Sequence, residues 1–251
     1  MTESPFRALA RTNTREMLRD KTTLFGAIIM PVGFIALAVM LSAVLPSEPG
    51  VDPVSLFMPF GLTMTLGAII FFGTVSPIVD LRRRGTLRVL GTTPLRRWTF
   101  LLALVPPRAV ILLGALALTV VVTAALGSWP PERLASLVVT TVLGAAFMLA
   151  IGFLIAAFIS TTEAASTILT MVLLAFVFAG GGILPLELLP EGVGDVLEWL
   201  PPALFTDALA ASLTGAEPTH PVWLAWLVLV ATTAVLGAVA GRVFRFDRSR
   251  T

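Results

Sequence analysis

The chain has 251 residues but no cysteine, one histidine and one lysine, and only 13% of it is charged. Without cysteine there is no disulfide, no thiolate metal site and no thiol nucleophile. His220 has no second histidine to share a zinc ion with. The sole lysine, Lys21, sits in Leu18-Arg19-Asp20-Lys21 with no glycine loop before it. A phosphate-cradling Walker A loop, which needs that lysine after its glycines, is therefore missing. The charge content falls well below the roughly 25% of a soluble domain. Hydrophobic residues reach 57%, which excludes disorder as well, since disorder needs low hydrophobicity and high charge. An integral membrane protein remains.

Crossing roughly 30 Å of hydrocarbon takes about 20 apolar residues in a helix. Six stretches qualify: Leu24–Leu45, Leu56–Val79, Ala109–Leu126, Leu134–Ile159, Ala164–Leu184 and Pro221–Gly241. They are continuously apolar, whereas barrel strands alternate over about 10 residues. The expected fold is all-α, a single transmembrane domain of six helices over residues 1–251. The apolar run of the first span is too long for a signal peptide, and arginine-studded sequence precedes it. Trp98, Trp129, Trp199, Trp223 and Trp226 fall near span ends, where indoles prefer to sit.

Charge orients the spans. Every one of the 17 basic residues except Arg133 lies before span 1, between spans 2 and 3, or after span 6. The other side carries Glu48, Asp52, Glu132, Glu187, Glu191, Asp195, Glu198, Asp207 and Glu217. Positive residues mark the cytoplasmic side, so both termini are expected there. Arg108, just ahead of span 3, is expected to snorkel to that surface.

Three non-spanning segments have character of their own. In residues 1–23, Ser4-Pro5 starts a helix in which Arg7, Arg11, Arg15 and Arg19 recur four apart beside Phe6, Leu9 and Leu18. This describes an amphipathic helix at the cytoplasmic interface. Residues 81–98 follow span 2. There Asp80–Pro94, DLRRRGTLRVLGTTP, mixes arginines with Leu81, Leu87, Val89 and Leu90 between Gly85, Gly91 and Pro94, a pattern that fits either a short amphipathic helix able to dock on a partner or a solvated basic loop. Residues 185–220 form an external segment, opened by Gly180, Gly181 and Gly182 and broken by Pro185, Pro190, Pro201 and Pro202. Its short apolar pieces, Leu186–Leu189 and Val193–Leu200, are suited to re-enter the outer leaflet, where irregular backbone must be buried in protein or line a cavity.

On these residues the chain resembles the ABC-2 family of ABC-transporter permeases, nearest the daunorubicin-exporter-like branch. The resemblance runs over nearly the whole length, most sharply at Asp80–Pro94 and Gly180–Pro202. It implies a type V exporter in which two permeases, identical or homologous, meet above two separate ABC ATPases. Arg82, Arg83, Arg84, Gly85, Thr86, Leu87, Arg88 and Pro94 would belong to the coupling helix seated on the ATPase, next to the interface helix of Arg7, Arg11 and Arg15. Gly181, Gly182, Pro185, Leu186, Pro190 and Pro201 would belong to the external re-entrant segment. ATP and magnesium would be bound by the ATPase and no cofactor by this chain. Asp80 stands where many relatives carry Glu, and the turn Ser160–Glu163 lacks Lys and Arg, which argues against a second coupling contact there.

Rival functions fit less well. An ion-coupled carrier or channel usually places Asp, Glu or His inside the membrane, and none lies mid-span. An intramembrane enzyme needs a paired acid, Ser/His or metal cluster, and nucleic acid is no expected partner. Phe60, Thr63, Phe71 and Phe72 in span 2 are candidates for an apolar pathway with a few hydrogen-bonding groups. Gly237 and Gly241 suit close helix packing within the chain. The expected cargo is amphipathic or hydrophobic, drug-like or lipid, exported across a bacterial plasma membrane with consequences for antibiotic resistance.

Overall fold

Hydrocarbon offers a backbone no hydrogen-bonding partner, so a spanning chain must satisfy itself within helices or closed barrels. A computed structural model of the protein describes residues 29, 32–34, 36–37, 39–40, 53–86, 89, 97–125, 130–159, 161–181 and 192–243. Its helices are α1 (Pro53–Arg83), α2 (Arg97–Ala103), α3 (Val105–Ala125), α4 (Leu134–Phe158), α5 (Thr162–Ala179), α6 (Val193–Glu198), α7 (Pro201–Thr214) and α8 (Val222–Val243). Among the described residues, five segments are long and apolar enough to cross a membrane: Phe57–Arg83, Thr99–Ala125, Pro131–Phe158, Thr162–Ala179 and Val222–Val243.

The first expected span, Leu24–Leu45, lies mostly outside the described residues. Its described positions are helical, and the Phe34 ring meets Phe60 of α1 edge-on at 5.1 Å. Arg7, Arg11 and Arg15 lie outside the described residues, as do Leu87, Arg88, Pro94, Gly182, Pro185, Leu186 and Pro190.

At the centre of the bundle, α1 packs against α3, α4, α5 and α7. Leu66, Ile70, Phe71, Val75, Ile78 and Val79 are fully buried there. Small residues let the helices close on one another: a methyl group at Gly67 would overlap Leu173 of α5, and one at Gly144 of α4 would overlap the Phe205 ring of α7. By contrast α8 packs on α4 and α7 and turns Trp223, Leu227, Val230 and Val235 outward. Among the described residues, nothing lies within 4 Å of a Cβ placed at Gly237.

Span 2 runs to Arg83 rather than Val79, and three further features differ from the sequence reading. Span 3 starts at Thr99 rather than Ala109. Pro106 and Pro107 have no N–H for the carbonyls of Leu102 and Ala103, so the helix is interrupted at Leu104, whose N–H bonds the Leu101 carbonyl at 3.2 Å. The proline pair breaks a single span into α2 and α3. Span 5 closes at Ala179, short of Leu184, because the N–H groups of Gly180 and Gly181 bond back to Phe176 and Phe178. Gly181 then leaves with φ +72, a left-handed conformation that costs glycine little.

The third difference is α7. Pro201 and Pro202 were expected to break helices, but they occupy the first turn of one. There the missing N–H is no loss and the fixed φ is already helical. The resulting 14-residue helix is about 21 Å long, too short to cross, and it buries Ala203, Leu204, Phe205, Ala208, Leu209 and Leu213 inside the bundle.

Candidate functional site

At the arginine-rich end, α1 runs helically through Arg83, so Arg82 and Arg83 belong to the last turn of span 2 and not to a separate loop helix. The N–H of Gly85 bonds the Arg82 carbonyl at 3.1 Å, and Gly85 ends the helix with φ +71. Helical geometry separates the three consecutive arginines. Val75, Ile78 and Val79 are fully buried, and Arg82 continues their face at the next turn. Its Nη1 donates to the carbonyls of Ala156 at 2.9 Å and Ile159 at 2.5 Å, at the end of α4. Arg83 is exposed, and its Nη1 donates to Thr162 Oγ1 at 2.6 Å. Arg84 points outward, 3.5 Å from the exposed Asp80 carboxylate. Thr86 and Val89 are exposed beyond the turn.

Deeper in the bundle, the structure overturns the snorkelling of Arg108. It lies within the Thr99–Ala125 span at 3% exposure. Its guanidinium donates to the carbonyls of Leu104 and of Gly73 in α1. Pro77, four residues after Gly73, has no N–H to give that carbonyl. Arg108 fills the vacancy, and in return finds an acceptor for a charge buried away from water.

Hydrogen bonds gather the opposite end around α7. Thr206 Oγ1 donates to the Gly180 carbonyl at 2.6 Å, tying α7 to the exit of α5. Arg133 Nη1 donates to the Ala211 carbonyl at 2.6 Å, and the hydroxyls of Ser136 and Ser212 are 2.7 Å apart. The Asp207 carboxylate accepts the N–H groups of Thr219 at 3.2 Å and His220 at 3.3 Å, fixing the approach to α8. The His220 ring stands edge-on to Trp199, with centroids 4.5 Å apart. Of the expected re-entrant residues, Gly181 sits at the α5 exit and Pro201 at the start of α7.

Between the two ends, Phe176 of α5 gathers Phe71, Phe147 and Phe205, with centroids 6.0 to 6.5 Å away. Of the pathway candidates, Thr63 and Phe71 are therefore packed inside the bundle, while Phe60 and Phe72 are half-buried against it. One polar surface escaped the sequence reading. Glu163, Ser166, Thr167 and Thr170 of α5 are all exposed on one helical face. The three hydroxyls bond back to the carbonyls of Glu163 and Ser166, which lets them lie within an apolar span at small cost. Their spacing of three and four, directly after Glu163, was the available signal.

None of these contacts is catalytic in form. Arginines meet carbonyls and hydroxyls meet helix backbone, a chemistry that fastens helices to one another and leaves their ends available to partners. Residues 53–242 match the family described as ABC-2 family transporter protein, a stretch that covers the five candidate spans but for Val243 at the end of the last. No curated protein matched the chain. This chain thus belongs to the ABC-2 family: it is the multi-pass membrane permease component of a transporter, is not itself an ATPase, and implies a partner ABC ATPase.

Proposed function

We propose that this permease is the membrane half of an exporter of the daunorubicin-exporter-like branch, built from two permeases and two ATPases. The observation that carries the reading is the exposed arginine-rich end of α1, in a chain that matches the family over residues 53–242. Arg84, Gly85 and Thr86, with Leu87, Arg88 and Pro94 beyond, form the coupling segment that meets the ATPase beside the helix of Arg7, Arg11 and Arg15. That end, with both termini, is cytoplasmic in a bacterial plasma membrane. ATP and magnesium bind the ATPase alone.

The cargo is an amphipathic or hydrophobic compound, a drug or a lipid, moved along the surface where the two permeases meet. The hydroxyl-bearing face of α5 supports this, because exposed polar groups in a span are better matched by a polar cavity than by lipid tails. Phe60 and Phe72 flank that pathway, with Thr63 and Phe71 behind them. The segment from Gly181 and Gly182 through Pro185, Leu186 and Pro190 to Pro201 re-enters from outside, and α7 is its buried continuation.

Charge reversal tests the coupling segment. With Arg84→Glu, membrane insertion stays intact while the ATPase no longer copurifies and dye efflux from cells is lost. Normal efflux by this variant would contradict the assignment.

A further inference from the structure

The link from α4, which ends at Phe158, to α5, which starts at Thr162, contains no Lys or Arg. A helix ends with carbonyls that lack intrahelical donors and carry the negative end of its dipole. At the end of α4 this need is met from another span. Arg82 donates to the carbonyls of Ala156 and Ile159, and Arg83 to the hydroxyl of Thr162 in the first turn of α5. Both donors carry charge, and such hydrogen bonds are roughly twice as strong as neutral ones. Two neighbouring residues of α1 thereby grip the end of one span and the start of the next.

We infer that Arg82 and Arg83 are positioning residues, which deliver movement of the segment after α1 to α4 and α5 through the turn that joins them. The inference rests on the ATPase-coupling reading and deepens it, by separating the roles of three adjacent arginines. Arg84 and the residues beyond it face the partner. Arg82, on the buried face, and Arg83, exposed but bonded to Thr162, carry the displacement inward. A turn with no basic residue becomes part of the transmission without touching the ATPase. The helix it moves is α5, which bears the exposed Ser166, Thr167 and Thr170, so the hydroxyl face shifts when the ATPases close.

The absence of cysteine makes the test clean. An environment-sensitive fluorophore on Thr170→Cys reports α5 in the permease–ATPase complex in lipid nanodiscs, with and without ATP and vanadate. The Arg82 chain gives a nucleotide-dependent signal. Arg82→Gln keeps the ATPase bound and reduces that signal roughly tenfold, as expected on losing a charge-assisted bond. Arg82→Lys restores part of it, because a charged donor remains. An undiminished signal from a folded, ATPase-bound Arg82→Gln complex would overturn the inference.

Should Arg82→Gln fail to fold, Thr162→Val decides, since it removes only the acceptor of Arg83. A smaller signal supports the transmission and an unchanged one refutes it. If the unsubstituted chain held no ATPase at all, the coupling reading itself would fall, and the inference with it.

Discussion

The guanidinium of Arg108 in α3 donates to the main-chain carbonyl of Gly73 in α1, the carbonyl that Pro77 leaves without a helical donor. A proline in one span and an arginine in the next are thus two halves of one contact. Replacing Pro77 by Ala supplies the missing N–H from within α1. Arg108→Met then costs less in the Pro77→Ala background than alone. Cross-helix polar bonds in membranes are worth about 0.6 kcal/mol on average and up to about 1.7, so a coupling near 1 kcal/mol is expected in a double-mutant cycle of unfolding in mixed micelles. Additivity within about 0.3 kcal/mol would mean that the two residues act independently.

The seat of Phe205 on Gly144 makes a second prediction. A methyl group at position 144 overlaps the ring, and overpacking a close-packed core costs about 1–3 kcal/mol. Gly144→Ala therefore lowers the melting temperature of the purified protein. Phe205→Leu, which vacates the overlapping ring atoms, recovers part of that loss. A Gly144→Ala protein as stable as the parent would show that α7 does not pack tightly on α4.

The orientation proposed for the bundle is open to direct labelling, because the chain contains no competing thiol. Glu217 and Arg84 are both exposed and are placed at opposite ends. A membrane-impermeant maleimide added to intact cells labels Glu217→Cys, and labels Arg84→Cys only after the membrane is opened. Labelling of both from outside would overturn the topology.

At the surface, the Arg84–Asp80 pair stabilises little. Exposed ion pairs four apart on a helix contribute about 0.3–0.5 kcal/mol. Asp80→Asn accordingly leaves the melting temperature within about a degree or two and keeps the ATPase bound. A large loss of stability would show that Asp80 makes a contact beyond Arg84.

Spans made only of apolar residues were legible from composition. The ends of α4 and α8 fall within two residues of the expected Leu134–Ile159 and Pro221–Gly241, because lipid leaves such runs no alternative to helix. Errors gathered where proline and arginine have more than one physical use. Pro106-Pro107 signals a loop in water, but in a membrane span it is a tolerated break. Pro201-Pro202 stops a helix from within yet starts one at the first turn. Arg108 looked free to snorkel because its acceptor is a carbonyl exposed by a proline 31 positions earlier. Arg82 and Arg84 have the same side chain, and only the buried face of α1 separates their directions. Asp80–Pro94 and Gly180–Pro202 carried the family resemblance most sharply, and the match over residues 53–242 upholds it at the level of the ABC-2 family.

The central claim is that this chain works as the membrane half of an ATP-driven machine. Mass spectrometry of what copurifies with the tagged protein in mild detergent, expressed in its native cells, tests it most directly. The account predicts an ABC ATPase with a P-loop in a one-to-one ratio with the permease. A stable, folded complex without any nucleotide-binding subunit would contradict it.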